Sequence, residues 1–223
     1  MSNTTSTPFP ADVKNNTITV SVPDRGNLFF VAKRVIQFGF TLLAVPRLLA
    51  WSLSRIVLGR RAFIGSSESI ARIPGLRGVY LRQAFYRATL SNCGQDTYFG
   101  WHSVFSMTDA TIGDRCYIGR FCSIGYAKIG PEAMISDGVQ ILSGGREHNR
   151  SGSGDTTMHE MHQTYRQVEI GEGAWIGARS VVMADVGKHA IVGAGSVVTK
   201  PIPANCVAVG SPARVIKNLN ETN

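Results

Sequence analysis

Two stretches decide how this chain folds: IGDRCYIGRFCSIGYAKIGPEAMISDGVQI (Ile112–Ile141) and IGEGAWIGARSVVMADVGKHAIVGAGSVV (Ile170–Val198). Each is a string of short aliphatic–glycine units. Taking one aliphatic anchor per unit gives Ile112, Ile118, Ile124, Ile129, Ile135 and Ile141, then Ile170, Ile176, Val182, Val186, Val192 and Val198. Within the two stretches every gap is six residues except 124 to 129 and 182 to 186. Glycine follows eight of the twelve anchors, far more often than 24 glycines in 223 residues would place it by chance. Four positions past the anchors of intact units stand Cys116, Cys122, Ala133, Val139, Ala174, Ser180, Ala190 and Ser196, all small or modest in size. An amphipathic helix repeats every 3.6 residues and cannot produce this pattern. A solenoid can: each unit is a short strand and a turn, three units make a triangular coil, and the aliphatic residue points inward. The small residue then fits the crowded corner, and glycine is expected to permit the tight turn. Cys116 and Cys122 occupy that small slot and read as packing residues, not nucleophiles.

Outward from the repeats, residues 1–27 are polar and read as a flexible tail. Residues 28–97 alternate apolar runs with arginines and read as helices broken near Pro46, Gly59 and Pro74. The β-helical part is expected over 98–217. Ten basic residues between Lys33 and Arg87 face one acid, Glu68, so the net charge of +8 is concentrated there. The longest uncharged run of this segment, Val35–Pro46, is short of the roughly 20 residues a spanning helix needs. The segment 28–61 therefore reads as an interfacial element meeting an anionic membrane surface, or else as an apolar helical cap packed on the β-helix or on another subunit. It carries no nucleic-acid reading motif. Four cysteines without CxxC pairing, and a polar start without a leader pattern, point to a cytoplasmic chain, peripheral at the inner face of the cell membrane.

Between Ile141 and Ile170 the repeat is interrupted by SGGREHNRSGSGDTTMHEMHQTYRQ (Ser143–Gln167), which holds three of the five histidines: His148, His159 and His162. Long loops in compact repeats tend to be functional. An imidazole there can take a proton from a hydroxyl nucleophile near neutral pH. Asp137 and Glu147 are the nearby carboxylates in a position to orient it.

With its closing run IVGAGSVVTKPIPANCVAVGSPARVI (Ile191–Ile216), the repeat region resembles the hexapeptide acyltransferases, left-handed parallel β-helix enzymes that act as homotrimers. The run Arg60–Leu90 is similar to the segment preceding the β-helix in bacterial surface-polysaccharide acetyltransferases. The resemblance implies transfer of an acetyl group from acetyl-CoA to a saccharide or lipid-linked saccharide hydroxyl. His148 of GGREHN would be the general base. Trp175, Ala178 and Ala194 would flank the pantetheine arm, with Thr199, Lys200 and Arg214 near the phosphates. No metal is expected. Two other classes share the architecture. A gamma-class carbonic anhydrase needs three histidines meeting across an interface, whereas His148, His159 and His162 share one loop. A non-catalytic scaffold has no use for a cofactor groove.

Overall fold

The computed structural model describes residues 11–14, 17–20, 27–145 and 164–220. The chain divides into two compact units, 1–38 and 39–223. In the first, Ala11–Lys14 pairs antiparallel with Thr17–Val20, where the sequence suggests only a tail. The β-branched run Thr17, Ile18, Thr19, Val20 favours that ladder.

Helix α1 spans Asn27–Leu58. The break expected near Pro46 does not occur. Proline forfeits one backbone bond at a cost of about 3 kcal/mol, but good helix formers lie on both sides: Leu42, Leu43 and Ala44 before it, Leu48, Leu49 and Ala50 after. The breaks at Gly59, with φ of 55°, and at Pro74 stand as expected. Leu28–Leu58 is long and apolar enough to cross a membrane by length and composition, with only 11% of its most apolar window buried. The expectation of a shorter run stopped at Lys33, Arg34 and Arg47, charges that a longer window tolerates.

In the second unit the anchors do what their spacing requires. Every third one stacks on the same face. Ile118, Ile135, Ile176 and Val192 are parallel neighbours in one sheet, and Ile124, Ile141, Val182 and Val198 in a second. Ile112, Ile129 and Ile170 form the third, continued by bridges to Val186 and Ile202. The result is a β-solenoid of about five turns. All twelve anchors and all eight small-slot residues are buried.

Two details differ from the expectation. The stack starts at Asn92–Cys93, not Tyr98. Cys93, Phe99 and Phe105 are themselves six apart and stand in register with Ile112, Ile118 and Ile124, so they are the anchors of a first coil. A search for aliphatic anchors passes over a cysteine and two phenylalanines. The glycines after the anchors also have another role. They do not adopt positive φ; a β-carbon on Gly130 would instead sit 2.6 Å from the backbone nitrogen of Glu172 in the next coil. Close stacking of coils selects them, while the left-handed corners are taken by Asp96, His102, Arg115, Phe121, Glu132, Arg179, His189 and Asn205, and by other glycines, Gly138, Gly173 and Gly195.

Helices α2 (Arg60–Ala71) and α3 (Gly75–Thr89) close the open end of the stack. Tyr86 packs 5.0 Å from Phe99 and 4.7 Å from Phe105, ring centre to ring centre. Its hydroxyl meets Ser67 Oγ at 2.8 Å, and that same oxygen accepts the Phe105 N–H at 2.9 Å. Arg82, counted among the basic residues of a surface segment, is in fact 1% exposed. Its guanidinium donates to the carbonyls of Ile73 (2.8 Å) and Phe99 (3.1 Å), tying the end of α2 to the first coil. At the far end strands Cys206–Gly210 and Ala213–Asn218, paired antiparallel, cover the edge of the sheet that holds Ile191–Val192.

Candidate functional site

The repeat resumes after its interruption without losing register, since Ile170 pairs with Ile129 and Ile176 with Ile135. The inserted segment is therefore an excursion from one corner. Its roots are held together: the Arg166 N–H donates to the Ser143 carbonyl at 2.7 Å, and Leu142 is held by Val182 at 2.9 Å. Ser143 Oγ accepts the Tyr126 N–H at 3.0 Å. His148, His159, His162 and Glu147 lie outside the described residues.

The roots open onto a cavity of about 490 Å³ lined by Ser143, Gly145, Thr164, Arg166, Met183 and Thr199. Arg166 is ion-paired with Asp185, whose other oxygen accepts the Glu169 N–H at 3.0 Å. Thus Thr199, expected near the cofactor phosphates, shares a cavity with the base of the histidine-bearing loop.

The other residues expected at the cofactor are distributed as follows. Ala178 and Ala194 meet at one corner: the Ala178 carbonyl accepts the Gly195 N–H at 2.8 Å, and a β-carbon on Gly177 would touch the Ala194 nitrogen at 2.5 Å. Ala194 is exposed and Ala178 half-buried. Trp175 is 48% exposed on the outer side of its sheet, in register with Met134 before it and Ile191 after it. Its indole N–H donates to Ser136 Oγ at 3.0 Å, which fixes the ring. Lys200 is exposed beside Thr199, and Arg214 is exposed on the closing strand with Nη1 on the Ala213 carbonyl at 3.1 Å. These groups offer an apolar wall, a bare backbone corner and two cations, a set that suits a long thiol arm ending in phosphates.

Asp137 is committed elsewhere. Oδ1 accepts the Arg120 N–H at 2.7 Å, and Oδ2 accepts from Arg120 Nε and Nη2 at 2.9 and 2.7 Å. The backbone hydrogen bond from Arg120 holds the carboxyl below its usual range; burial opposes it, and the Arg120 guanidinium adds to the lowering. Cys116 and Cys122 are buried as their slot requires, and burial raises both thiol pKa values; Cys93 is pushed up to about 12. Such thiols are poor nucleophiles at neutral pH. Among the described residues no group of three His, Cys, Asp or Glu side chains is arranged to hold a metal ion.

Further cavities flank the loop root on the side of α2. One of about 360 Å³ is lined by Arg60, Ser106, Asp109, Tyr126 and Tyr165, among others. Another of about 430 Å³ shares Arg60, Ser106 and Tyr165 with it and reaches Ser143.

By these coils the chain is similar to the hexapeptide-repeat acetyltransferases. Residues 167–200 match the family described as bacterial transferase hexapeptide (six repeats). The chain is 40% identical over 75 residues to the galactoside O-acetyltransferase of Escherichia coli (strain K12), covering 29% of this chain and 37% of that protein. It thus spans about a third of the length of several curated relatives and somewhat over half of others. The fold is that of a maltose O-acetyltransferase from Clostridium difficile 630, with a TM-score of 0.62 at 22% identity over 75% of this chain and 91% of that one. It is also that of a galactoside acetyltransferase solved with coenzyme A, with a TM-score of 0.56 at 24% identity over 73% and 84%.

Proposed function

We propose that the chain is an acetyl-CoA-dependent O-acetyltransferase acting on a saccharide hydroxyl, with His148 as general base. The observation that carries this reading is the cavity in which the roots of the His148 loop meet Thr199. It puts the start of the loop beside the Thr199–Lys200 element. The galactoside O-acetyltransferase activity of the chain's relatives supports the same chemistry. In this reading the acceptor oxygen attacks the thioester carbonyl directly while His148 takes its proton. The carbon–sulfur bond breaks, and the departing thiolate recovers a proton. No covalent enzyme intermediate is required, because the thioester is already activated.

Trp175, Ala178 and Ala194 line the arm of the donor, and Thr199, Lys200 and Arg214 face its phosphates. Trp175 and Ala194 are exposed on one chain, so a groove closed on both sides needs a neighbouring subunit. A homotrimer supplies it, and light scattering checks this: an active, stable monomer is incompatible with it. The exposed apolar residues of α1, including Leu42, Leu49, Leu53, Ile56 and Val57, support attachment to an anionic membrane surface. Flotation of the full chain with anionic vesicles tests that, and protein left at the bottom of the gradient at low salt rejects it.

The catalytic assignment is tested by His148→Ala. Turnover should fall by about 10²- to 10⁴-fold with acetyl-CoA affinity little changed, while His159→Ala and His162→Ala cost far less. Near-normal turnover in His148→Ala removes the assignment.

A further inference from the structure

The two cavities beside α2 share lining residues and together form a trough that runs from Asp109 to the loop root at Ser143. Its walls come from three places in the chain: Arg60 opens α2, Ser106 and Asp109 follow the Val104–Phe105 strand of the first coil, and Tyr165 returns from the inserted segment. The chemistry of the walls is mixed in a particular way. Tyr126 and Tyr165 offer aromatic faces. Ser106 and Ser143 offer hydroxyls, and Asp109 is an exposed carboxylate held at its Oδ2 by Thr108 at 3.4 Å. Aromatic surface with hydroxyl and carboxylate partners suits the apolar ring faces and polar edges of a pyranose.

Arg60 makes the trough selective. Its guanidinium lies over the Tyr165 ring, with Cζ 5.4 Å from the centroid. No ion pair with a carboxylate is made by Arg60 among the described residues. The stacked guanidinium is thereby oriented while its N–H edges remain available to a carboxylate in a bidentate arrangement.

We propose that this trough is the acceptor subsite and that it takes an acidic saccharide, with the sugar's carboxylate on Arg60 and its ring against Tyr126 and Tyr165. The inference rests on the acetyltransferase reading above but not on the identity of the base. It assigns a recognition role to a residue outside the repeats, supplied by the helical region that precedes them.

The test uses the full chain with two probes that differ only at C6, methyl β-glucuronoside with a carboxylate there and methyl β-glucoside with a hydroxymethyl group. Binding is followed by saturation-transfer NMR, turnover by release of free thiol, and acetyl-CoA affinity separately by calorimetry. The glucuronoside should bind more tightly and show the lower KM. Arg60→Gln should raise its KM by about tenfold, the loss of one charge-assisted contact, and leave glucoside binding and acetyl-CoA affinity unchanged. Arg77→Gln makes the same change of net charge at a residue that lines neither cavity, and it should leave the preference intact. Equal binding of the two probes, binding of neither, or a preference that survives Arg60→Gln overturns the proposal. Failure of the parent reading is recognised separately, as loss of acetyl-CoA binding by the unaltered chain.

Discussion

Replacing Arg82 by methionine should loosen the helical plug at the start of the coil stack. Methionine keeps most of the aliphatic stem and removes the guanidinium. Two bonds are well made, to the Ile73 carbonyl at 2.8 Å and the Phe99 carbonyl at 3.1 Å. The contacts to Ile70 and Ala71, at 3.4 and 3.5 Å, are at the limit of a useful hydrogen bond. At roughly 1.5–3 kcal/mol for each bond to a charged group, the two good ones amount to about 3–6 kcal/mol. Burial opposes the charge and lowers the Arg82 pKa, so methionine recovers part of that cost. The net loss expected is about 2–3 kcal/mol, or roughly 5–10 °C in Tm for a chain of this size. Urea unfolding followed by circular dichroism gives the total. Trp101 gives the local event, because its indole N–H is held by the Arg72 carbonyl at 3.1 Å, at the end of α2. Arg82→Lys should fall between the two, since an ammonium reaches one carbonyl well and not both. Stability of Arg82→Met within about 0.5 kcal/mol of the parent, the range of an ordinary surface change, would refute the reasoning.

Gly130→Ala should destabilise the stack by about 1–3 kcal/mol or more, the range seen for core overpacking, because its β-carbon meets only backbone of the adjacent coil. A melting temperature equal to the parent's would mean the coils can part at that corner without cost. Asp137→Asn should flatten the acid side of the stability profile. The folded carboxyl has a lowered pKa, so its contribution is present above the ordinary value and is lost as pH falls through the folded one. The slope of the urea midpoint below about pH 4 should therefore be shallower in the variant; an unchanged slope contradicts it.

How much of this was legible in the sequence follows from what each residue does. The anchors and small slots were readable because one inward position per unit must be filled in every coil, and a repeated physical demand leaves a periodic trace. The first coil escaped because Cys93, Phe99 and Phe105 meet the same demand with other side chains. Phenylalanine is accommodated there because Tyr86 and Phe85 from α3 pack onto that end. The glycines were correctly located but for the wrong cause: adjacency between coils is a non-local contact, invisible in any single unit. Arg82 was misjudged for a similar reason. Nothing near it in sequence announces that the carbonyls of Ile73 and Phe99 will converge on it. At the candidate site, the inserted segment stood out as a break in period, and the meeting of its roots with Thr199 follows from the register. The trough did not, because Arg60, Asp109 and Tyr165 are far apart in the chain and come together only through the docking of α2.

The hydrogen bond between Arg166 and Ser143 separates the chain's architecture from its chemistry. The strands on either side pair with coils that precede the insertion, and the neck between them is bridged directly, so the register of the stack is set by residues outside the span from Gly145 to Thr164. Closing a longer segment at such a neck costs only about 0.6 kcal/mol for each doubling of its length. The scaffold can thus serve as a socket. A different sequence could be spliced in at that neck, carrying other reactive groups or other dimensions, while the prism beneath keeps its register. For anyone redesigning this molecule, the residues to exchange lie between those two positions, and the ones to leave alone are the pair that clasp it.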